Sequence, residues 1–130
     1  MLFKYDSNSK VVGVVNFKGN RFSLTKIAVK EGGGGEVGQI IDVVLQIQID
    51  YLFVSHTDWR AITYCQREDA LVLIHLDMLE LPNYSILAPT PYAELYRFNG
   101  KIDTLCFYME DYLVVATKDQ SIKVVPYREL

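Results

Sequence analysis

Residues 41–68, IDVVLQIQIDYLFVSHTDWRAITYCQRE, recur in weaker form at residues 102–129, IDTLCFYMEDYLVVATKDQSIKVVPYRE. Laid over each other without a gap, the two stretches agree at nine of 28 positions. The agreeing residues are mostly aspartates of predicted turns and the apolar residues beside them. A repeated stretch of this kind predicts a repeated structural unit. The agreeing pairs are Ile41/Ile102, Asp42/Asp103, Asp50/Asp111, Tyr51/Tyr112, Leu52/Leu113, Val54/Val115, Asp58/Asp119, Arg67/Arg128 and Glu68/Glu129.

Length and composition predict one folded domain spanning residues 1–130. Half of the 130 residues are hydrophobic, which is enough to form a core and excludes general disorder. The longest apolar run, residues 70–76, is interrupted by His75 and is too short to span a membrane. Lys4 and Asp6 argue against a signal peptide. Cys65 and Cys106 lie among apolar neighbours, which predicts buried, reduced thiols in a soluble, intracellular protein.

The charge is unevenly distributed along the chain. The formal net charge is −3, which disfavours nucleic-acid binding. Residues 1–30, however, carry six lysines and arginines against Asp6 alone, a net charge of +5, and the other hundred residues carry −8. The basic end could dock on an acidic surface, within the chain or between copies, or it could be a solvated strand face.

The first 30 residues predict a basic three-stranded meander. Residues 11–18 and 21–30 are rich in β-branched residues, and Gly19 with Asn20 between them is typical of a hairpin turn. The apolar alternation of the second strand changes phase near Thr25 and Lys26, which predicts a β-bulge there. Residues 31–36 include four consecutive glycines and predict a flexible connector.

Residues 37–80 predict the first β unit, residues 81–100 a proline-rich insertion, and residues 101–130 the second unit. Residues 37–49 fit either a helical stripe or a strand face, and their β-branched content favours the strand. Residues 70–78 predict a strand with both faces partly covered. Pro82 and Pro91 bound a predicted loop or edge strand.

Residues 90–98 allow two interpretations. Thr90 and Pro91 could begin a short helix, whereas Tyr92, Glu94 and Tyr96 would share one side of a strand. The strand is favoured because the segment leads directly into the second unit. The predicted fold class is therefore all-β, with antiparallel meanders and an internal duplication. The alternative is a small β-barrel or sandwich with one short helix near 90–98.

The order of strands and turns resembles a blade of a WD-repeat-type β-propeller. Residues 111–127, DYLVVATKDQSIKVVPY, are similar to the second and third strands of a blade. Residues 2–12, LFKYDSNSKVV, are similar to a third strand, its turn and the start of a fourth. The resemblance implies that Asp58 and Asp119 tie their turns together through hydrogen bonds.

The chain departs from that family in spacing and motifs. Its two copies begin 61 residues apart, at Ile41 and Ile102, whereas WD repeats recur about every 40–45 residues. Val125 and Pro126 stand where the Trp-Asp pair would be. A closed propeller requires at least about four blades, and this chain can supply two or three. We therefore expect a set of blades closed by self-association, a chain that forms part of a larger propeller, or a different β fold with an internal duplication.

The chemically densest stretch is SHTDWR, residues 55–60. His56 and Asp58 could act as a base and its orienting partner, or as two metal ligands, with His75 or Cys65 as a third member. The alternative is that Asp58 caps a turn and His56 bonds to it. The second copy keeps the aspartate, Asp119, and loses the histidine, which favours structural turn aspartates. No catalytic residue, metal or cofactor is predicted.

Aromatic residues beside turns supply the predicted partner-binding positions. Trp59 with Arg60, and Tyr92 with Tyr96, combine large side chains with polar tips, as interface anchors do. The competing interpretation folds the Trp59 indole over the edge of the core. We predict a non-enzymatic protein-interaction or scaffold subunit that self-associates. One alternative is a small β-barrel enzyme or ligand-binding protein that uses His56 and Asp58, and another is nucleic-acid binding through the basic meander.

Overall fold

The computed structural model of the chain describes residues 2–6, 10–55, 59–87, 89–97, 101–108 and 112–126. Their regular structure is β-strand apart from one 3₁₀ turn, Leu76–Met78. The all-β prediction is therefore confirmed. The strands are β1 (Leu2–Asp6), β2 (Val11–Lys18), β3 (Arg21–Val29), β4 (Gly35–Leu45), β5 (Tyr51–Val54), β6 (Arg60–Cys65), β7 (Ala70–His75), β8 (Asn83–Ile86), β9 (Ala93–Arg97), β10 (Ile102–Tyr108), β11 (Tyr112–Thr117) and β12 (Ile122–Pro126).

These strands form three sheets. The first sheet has the order β1-β2-β3-β4-β8, the middle sheet β5-β6-β7-β9, and the third sheet β10-β11-β12. Neighbouring strands are antiparallel except β4 and β8, which are parallel. The described strands do not close into a barrel, and residues 93–97 form β9. The barrel alternative and the short helix near 90–98 are therefore wrong.

The N-terminal meander forms as its turn residues predict. Lys18 pairs with Arg21 across Gly19, whose φ of 63° is the left-handed conformation that glycine adopts without strain. The bulge predicted in β3 is wrong, because β3 pairs with β2 in unbroken register. The register of β3 against β4 shifts between Lys26 and Ile27, and the extra residue there is Gly38 of β4. Burial on one face and exposure on the other follow from the two-residue period of a strand.

The glycine segment is shorter than predicted. The Lys30 N–H donates to the Gly34 carbonyl at 2.7 Å, closing a tight turn. Gly35 and Glu36 then pair with Val29 and Ala28 as the start of β4. The prediction of a connector over residues 31–36 is therefore wrong at its C-terminal end. The β3–β4 ladder continues as far as backbone partners are available. The flexibility of the segment stays a prediction.

The proline-rich insertion joins two sheets. Its first strand, β8, lies along β4 in parallel, and its second, β9, pairs with β7. The Asp42 N–H donates to the Pro82 carbonyl at 2.8 Å, which extends the contact at the start of β8. The insertion is therefore part of the core and places an edge strand on each of the first and middle sheets.

The core lies on both sides of the middle sheet. In β7, Val72 and Ile74 face a cluster shared with the first sheet, whereas Leu71 and Leu73 face a cluster shared with the third. This two-sided burial confirms that both faces of the predicted fourth strand are covered. The strand ends at His75 rather than Met78, because the chain turns at Leu76–Met78 and leaves Met78 exposed.

The duplicated stretches correspond only over their hairpins. β5–β6 and β11–β12 are both antiparallel hairpins at matching positions. The strand that precedes each hairpin differs: β10 pairs with β11 in the third sheet, but β4 pairs with β3 and β8 in the first. Residues 37–80 are therefore divided between two sheets, and the prediction of one continuous unit there is wrong.

Candidate interaction surface

The inward face of the third sheet is a closed apolar interface. Four of its side chains are buried against the middle sheet, with exposed fractions of 2% or less. They alternate with residues that point the opposite way, as strand geometry requires. The four are Ile102, Leu105, Leu113 and Val115.

The opposite face, here called the outer face, is apolar as well. The strand pairing arranges its side chains in three rows across the sheet. Ile122 is 73% exposed and Val124 is 57% exposed, and none of the described residues covers them. The rows are Thr104, Ala116 and Ile122; Cys106, Val114 and Val124; and Tyr108, Tyr112 and Pro126.

The outward side of the first sheet, here called the far face, divides into two halves. The rows near the β3–β4 turn are apolar, and Val37 and Ile40 within them are more than half exposed. The rows near the β2–β3 turn are polar. The apolar rows are Val12, Ile27 and Val37; and Val14, Thr25 and Ile40; the polar rows are Asn16, Ser23 and Asp42; and Lys18, Arg21 and Val44.

Exposed apolar surface is concentrated on these two faces. Of the eleven exposed large hydrophobic side chains among the described residues, four lie on the outer face and two on the far face. The six are Tyr108, Tyr112, Ile122, Val124, Val37 and Ile40. Single exposed apolar residues are normal on a protein surface, but contiguous patches mark interaction sites. The outer face and the far face, one at each end of the stack, are therefore the candidate docking surfaces.

Trp59 lies over the first sheet. Its ring packs against the apolar cluster between the first and middle sheets. A Cβ added to Gly13 would lie 2.5 Å from Trp59 Cζ3. The Trp59 carbonyl accepts the Leu76 N–H at 2.8 Å. Arg60 is half-buried and pairs with His75 in the ladder. The indole therefore holds the two sheets together, and a partner-binding role for Trp59 and Arg60 stays a prediction.

Tyr92 and Tyr96 do not share a surface. Tyr92 packs against the cluster on the first-sheet side and meets Tyr84 edge to face at a centroid distance of 5.1 Å. Tyr96 packs against the cluster on the third-sheet side. Burial and the nearby carboxylate of Glu94 raise the pKa of Tyr96. The middle sheet separates the two tyrosines, so one contact patch cannot include both.

Asp119 organises the turn between β11 and β12. Its carboxylate accepts hydrogen bonds from the Thr117 hydroxyl and from the Ser121 N–H, the latter at 3.1 Å. These bonds lower the pKa of Asp119. Asp58 and His56 lie outside the described residues, so their predicted roles stay predictions. Asp50, which was not assigned a role, accepts the Gln66 N–H at 2.7 Å and anchors the turn after β6.

The other members proposed for a catalytic or metal site are far apart. His75 pairs with Arg60 at one end of the β6–β7 ladder, and Cys65 pairs with Ala70 at the other. Five residues of strand separate the two positions, roughly 16 Å. His75 Nε2 lies 3.5 Å from Glu94 Oε2. Cys65 is buried in the cluster between the first and middle sheets, as predicted, but Cys106 is exposed, so the predicted burial is wrong for that thiol. Among the described residues, no three metal-ligating side chains come together.

The basic residues of the meander also lie apart. Lys18 and Arg21 flank the β2–β3 turn, whereas Lys10 precedes the other end of β2. Eight residues of strand hold these two ends roughly 26 Å apart. Lys30 Nζ lies 3.3 Å from the Glu36 carboxylate, which neutralises one of these charges. The described lysines and arginines therefore do not form a continuous stripe for a phosphate backbone.

A cleft of about 300 Å³ opens between the first and middle sheets. Its floor includes Leu45, Val72 and Ile86, and Glu68 and Arg97 are among its polar lining residues. His75 is not among the lining residues.

In the part of the chain that the structure describes, no helix has the length and hydropathy to cross a bilayer.

The outer face could have been found from the sequence. β11 reads YLVVAT and β12 reads IKVVP, so apolar residues occupy both faces of each strand. Strands of that kind belong in sheets that are covered on both sides. The same pattern predicted two covered faces for residues 70–78, and it also occurs in residues 112–126.

No family model, curated protein or solved structure matches this chain.

Proposed function

We propose that the chain is a non-enzymatic interaction subunit that self-associates through the outer face of the third sheet. The observation that carries this proposal is the set of three apolar rows ending in Ile122, Val124 and Pro126. Leaving such rows in water costs about 25 cal/mol for each Å² of apolar surface that a partner would bury. A second sheet packed on them recovers that free energy.

We further propose that the three sheets are consecutive blades of a propeller-like arc. Two observations support this. The sheets are stacked face to face in chain order, with the middle sheet between the other two. The first strands β1 and β10 both contact β5, the first strand of the middle sheet, so the leading strands lie side by side. Three sheets are fewer than the four to eight blades of closed propellers.

Sedimentation equilibrium tests self-association. The mass measured for the wild-type chain should be higher than the monomer mass of 14.9 kDa. Val124→Glu places a charge in the middle of the outer face, and burying an uncompensated charge is costly. We therefore expect the variant to sediment as a folded monomer with an unchanged far-UV circular dichroism spectrum.

Lys123→Glu is the matched control. Lys123 lies next to Val124 in β12 and is exposed, but its register position across from Val115 places it on the other face of the sheet. This variant should associate as the wild type does. A wild-type chain that stays monomeric at all concentrations, or a control that dissociates as fully as Val124→Glu, would contradict the proposal.

A further inference from the structure

We infer that the partner of the outer face is the far face of a second copy, so that two chains close a ring of six sheets through two such interfaces. This inference rests on the proposed self-association and specifies which two surfaces meet. It depends on the direction in which the sheets are stacked, on the match between covered and uncovered faces, and on the exposed area of the chain.

The hairpin pairing identifies the outer face with a face that is already covered. In β5–β6, Phe53 pairs with Ile62, and both pack toward the third sheet. The same place in β11–β12 is taken by Val114 and Val124, which also pair with each other. The outer face of the third sheet is therefore built like the face of the middle sheet that receives the third sheet.

The opposite side of each hairpin gives the direction of stacking. Leu52 packs toward the sheet that comes before its own in the chain, and the equivalent residue Leu113 does the same. Each sheet thus has one face for the preceding sheet and one for the following sheet. The outer face is a following-sheet face, so its partner must present a preceding-sheet face.

The far face of the first sheet is the preceding-sheet face that the stack leaves open. Its apolar rows contain Val37, 59% exposed, and Ile40, 54% exposed. The rows on the outer face contain no charged side chain, and neither do the two apolar rows of the far face. A second copy can therefore continue the stack in the same direction without burying an unpaired charge.

The exposed area fits an interface of this kind. The solvent-accessible surface of the chain is 7894 Å², whereas a compact monomer of this mass exposes roughly 7000 Å². The excess of roughly 900 Å² is shared by the outer face and the far face of each chain, and its total is close to the ~800 Å² that each partner buries in a standard complex.

Head-to-tail contacts close into a ring or extend into a filament, depending on the rotation between copies. The leading strands of the three sheets lie side by side, so the stack curves around a common line. Six sheets lie within the range of about four to eight that closes in propeller-like rings. Two copies provide that number.

A complementation experiment tests the pairing of the two faces. Val124→Glu alters only the outer face, and Ile40→Lys alters only the far face. Each variant alone should fall from twice 14.9 kDa to the monomer mass. An equimolar mixture should return to the two-chain mass, because a mixed pair has one interface with both faces intact and one with opposite charges facing each other.

The outcomes separate this inference from the proposed function. If Val124→Glu dissociates but Ile40→Lys does not, the outer face is a docking surface and its pairing with the far face is wrong. A mass that keeps rising above two chains with concentration would overturn ring closure.

Folding of each variant is checked by far-UV circular dichroism and thermal unfolding. Where a variant fails to fold, Ile122→Glu replaces Val124→Glu and Val37→Lys replaces Ile40→Lys. These positions are more exposed than the ones they replace, at 73% and 59%, so charges there disturb the monomer less. A wild-type chain that is monomeric at all concentrations would overturn both the inference and the proposed function.

Discussion

The middle and third sheets contain related hairpins in different surroundings. β5–β6 is covered on both faces, whereas β11–β12 is covered on one. The register also differs: Leu52 pairs with Thr63, but Leu113 pairs with Val125, one residue further along the second strand. Two hairpins related in sequence can thus differ in pairing because the lengths of their turns differ.

The turns account for that shift. Ser55 and Arg60 are the last bonded pair of the first hairpin, which leaves four residues in the turn. Thr117 and Ser121 are the last bonded pair of the second, which leaves three. A shift of one residue exchanges the faces of a strand. Equivalent positions in the two hairpins are therefore those that occupy the same place in the strand pairing, not those that match in the ungapped alignment.

The largest expected difference is between Ile62→Ala and Val124→Ala, which are equivalent positions by pairing. Ile62 is 1% exposed, so its truncation should lower the free energy of unfolding by about 3 kcal/mol. Val124 is 57% exposed, so its truncation should cost less than about 0.5 kcal/mol in the dissociated chain. Urea unfolding at low protein concentration measures both. Equal losses would show that the two faces are covered alike.

The next effect concerns the turn that carries Trp59. A Cβ at Gly13 would come within 2.9 Å of two atoms of that indole, so Gly13→Ala should lower the free energy of unfolding by about 2 kcal/mol. Gly34→Ala is the control, since nothing lies within 4 Å of its added Cβ and its φ is not positive. The same unfolding assay applies. Two variants of equal stability would show that Trp59 does not fill this space.

Tyr64 links the middle sheet to the third. Its hydroxyl donates to Asp69 Oδ1 at 2.9 Å and accepts the Ile102 N–H at 3.2 Å. The equivalent position in the third sheet by pairing is Pro126, which has no such group. Tyr64→Phe should therefore lower the free energy of unfolding by about 1 kcal/mol. Burial first, and then the hydrogen bond to Asp69, raise the pKa of Tyr64 to about 12.

That pKa predicts how the effect depends on pH. Because the pKa is raised from 10.0 to about 12 on folding, the stabilisation is complete below pH 10 and is lost as the pH rises toward 12. The stability difference between the wild type and Tyr64→Phe should therefore shrink over that interval. Denaturant unfolding at a series of alkaline pH values measures it. A difference that is constant with pH would contradict the hydrogen-bonded arrangement.

The smallest effect is expected at Asp119, which is fully exposed in the second turn. Asp119→Ala removes the acceptor for Ser121 and Thr117 and should lower the thermal midpoint slightly at neutral pH. Since these hydrogen bonds lower the pKa of Asp119, the stabilisation exists above the pKa of the unfolded chain. It disappears as the pH falls through the folded value. A variant with an unchanged midpoint at neutral pH would show that the turn does not depend on this carboxylate.

Much of the fold follows from local patterns. Alternating apolar residues predict the strands. Gly19 predicts the β2–β3 hairpin because it adopts the positive φ that the turn requires. These features depend on residues close together in the chain, so a single sequence is sufficient to predict them.

The candidate surface was predicted only in part. Self-association followed from the expectation that a short set of β units leaves faces and edges open. The residues assigned to it were Trp59, Arg60, Tyr92 and Tyr96, and the structure places Trp59, Tyr92 and Tyr96 against the core clusters. An aromatic side chain beside a turn can fold inward or outward, and only the packing around it decides which.

The sequence by itself determined that this protein is built from strands and where most of them begin and turn. The tertiary structure decided which sheet each strand joins: β4 leaves its repeat for the first sheet, and β8 pairs with it in parallel. It also decided which apolar face of the third sheet is left open. The physical reason is that strand formation depends on a local two-residue period, whereas pairing and covering depend on contacts between residues far apart in the chain.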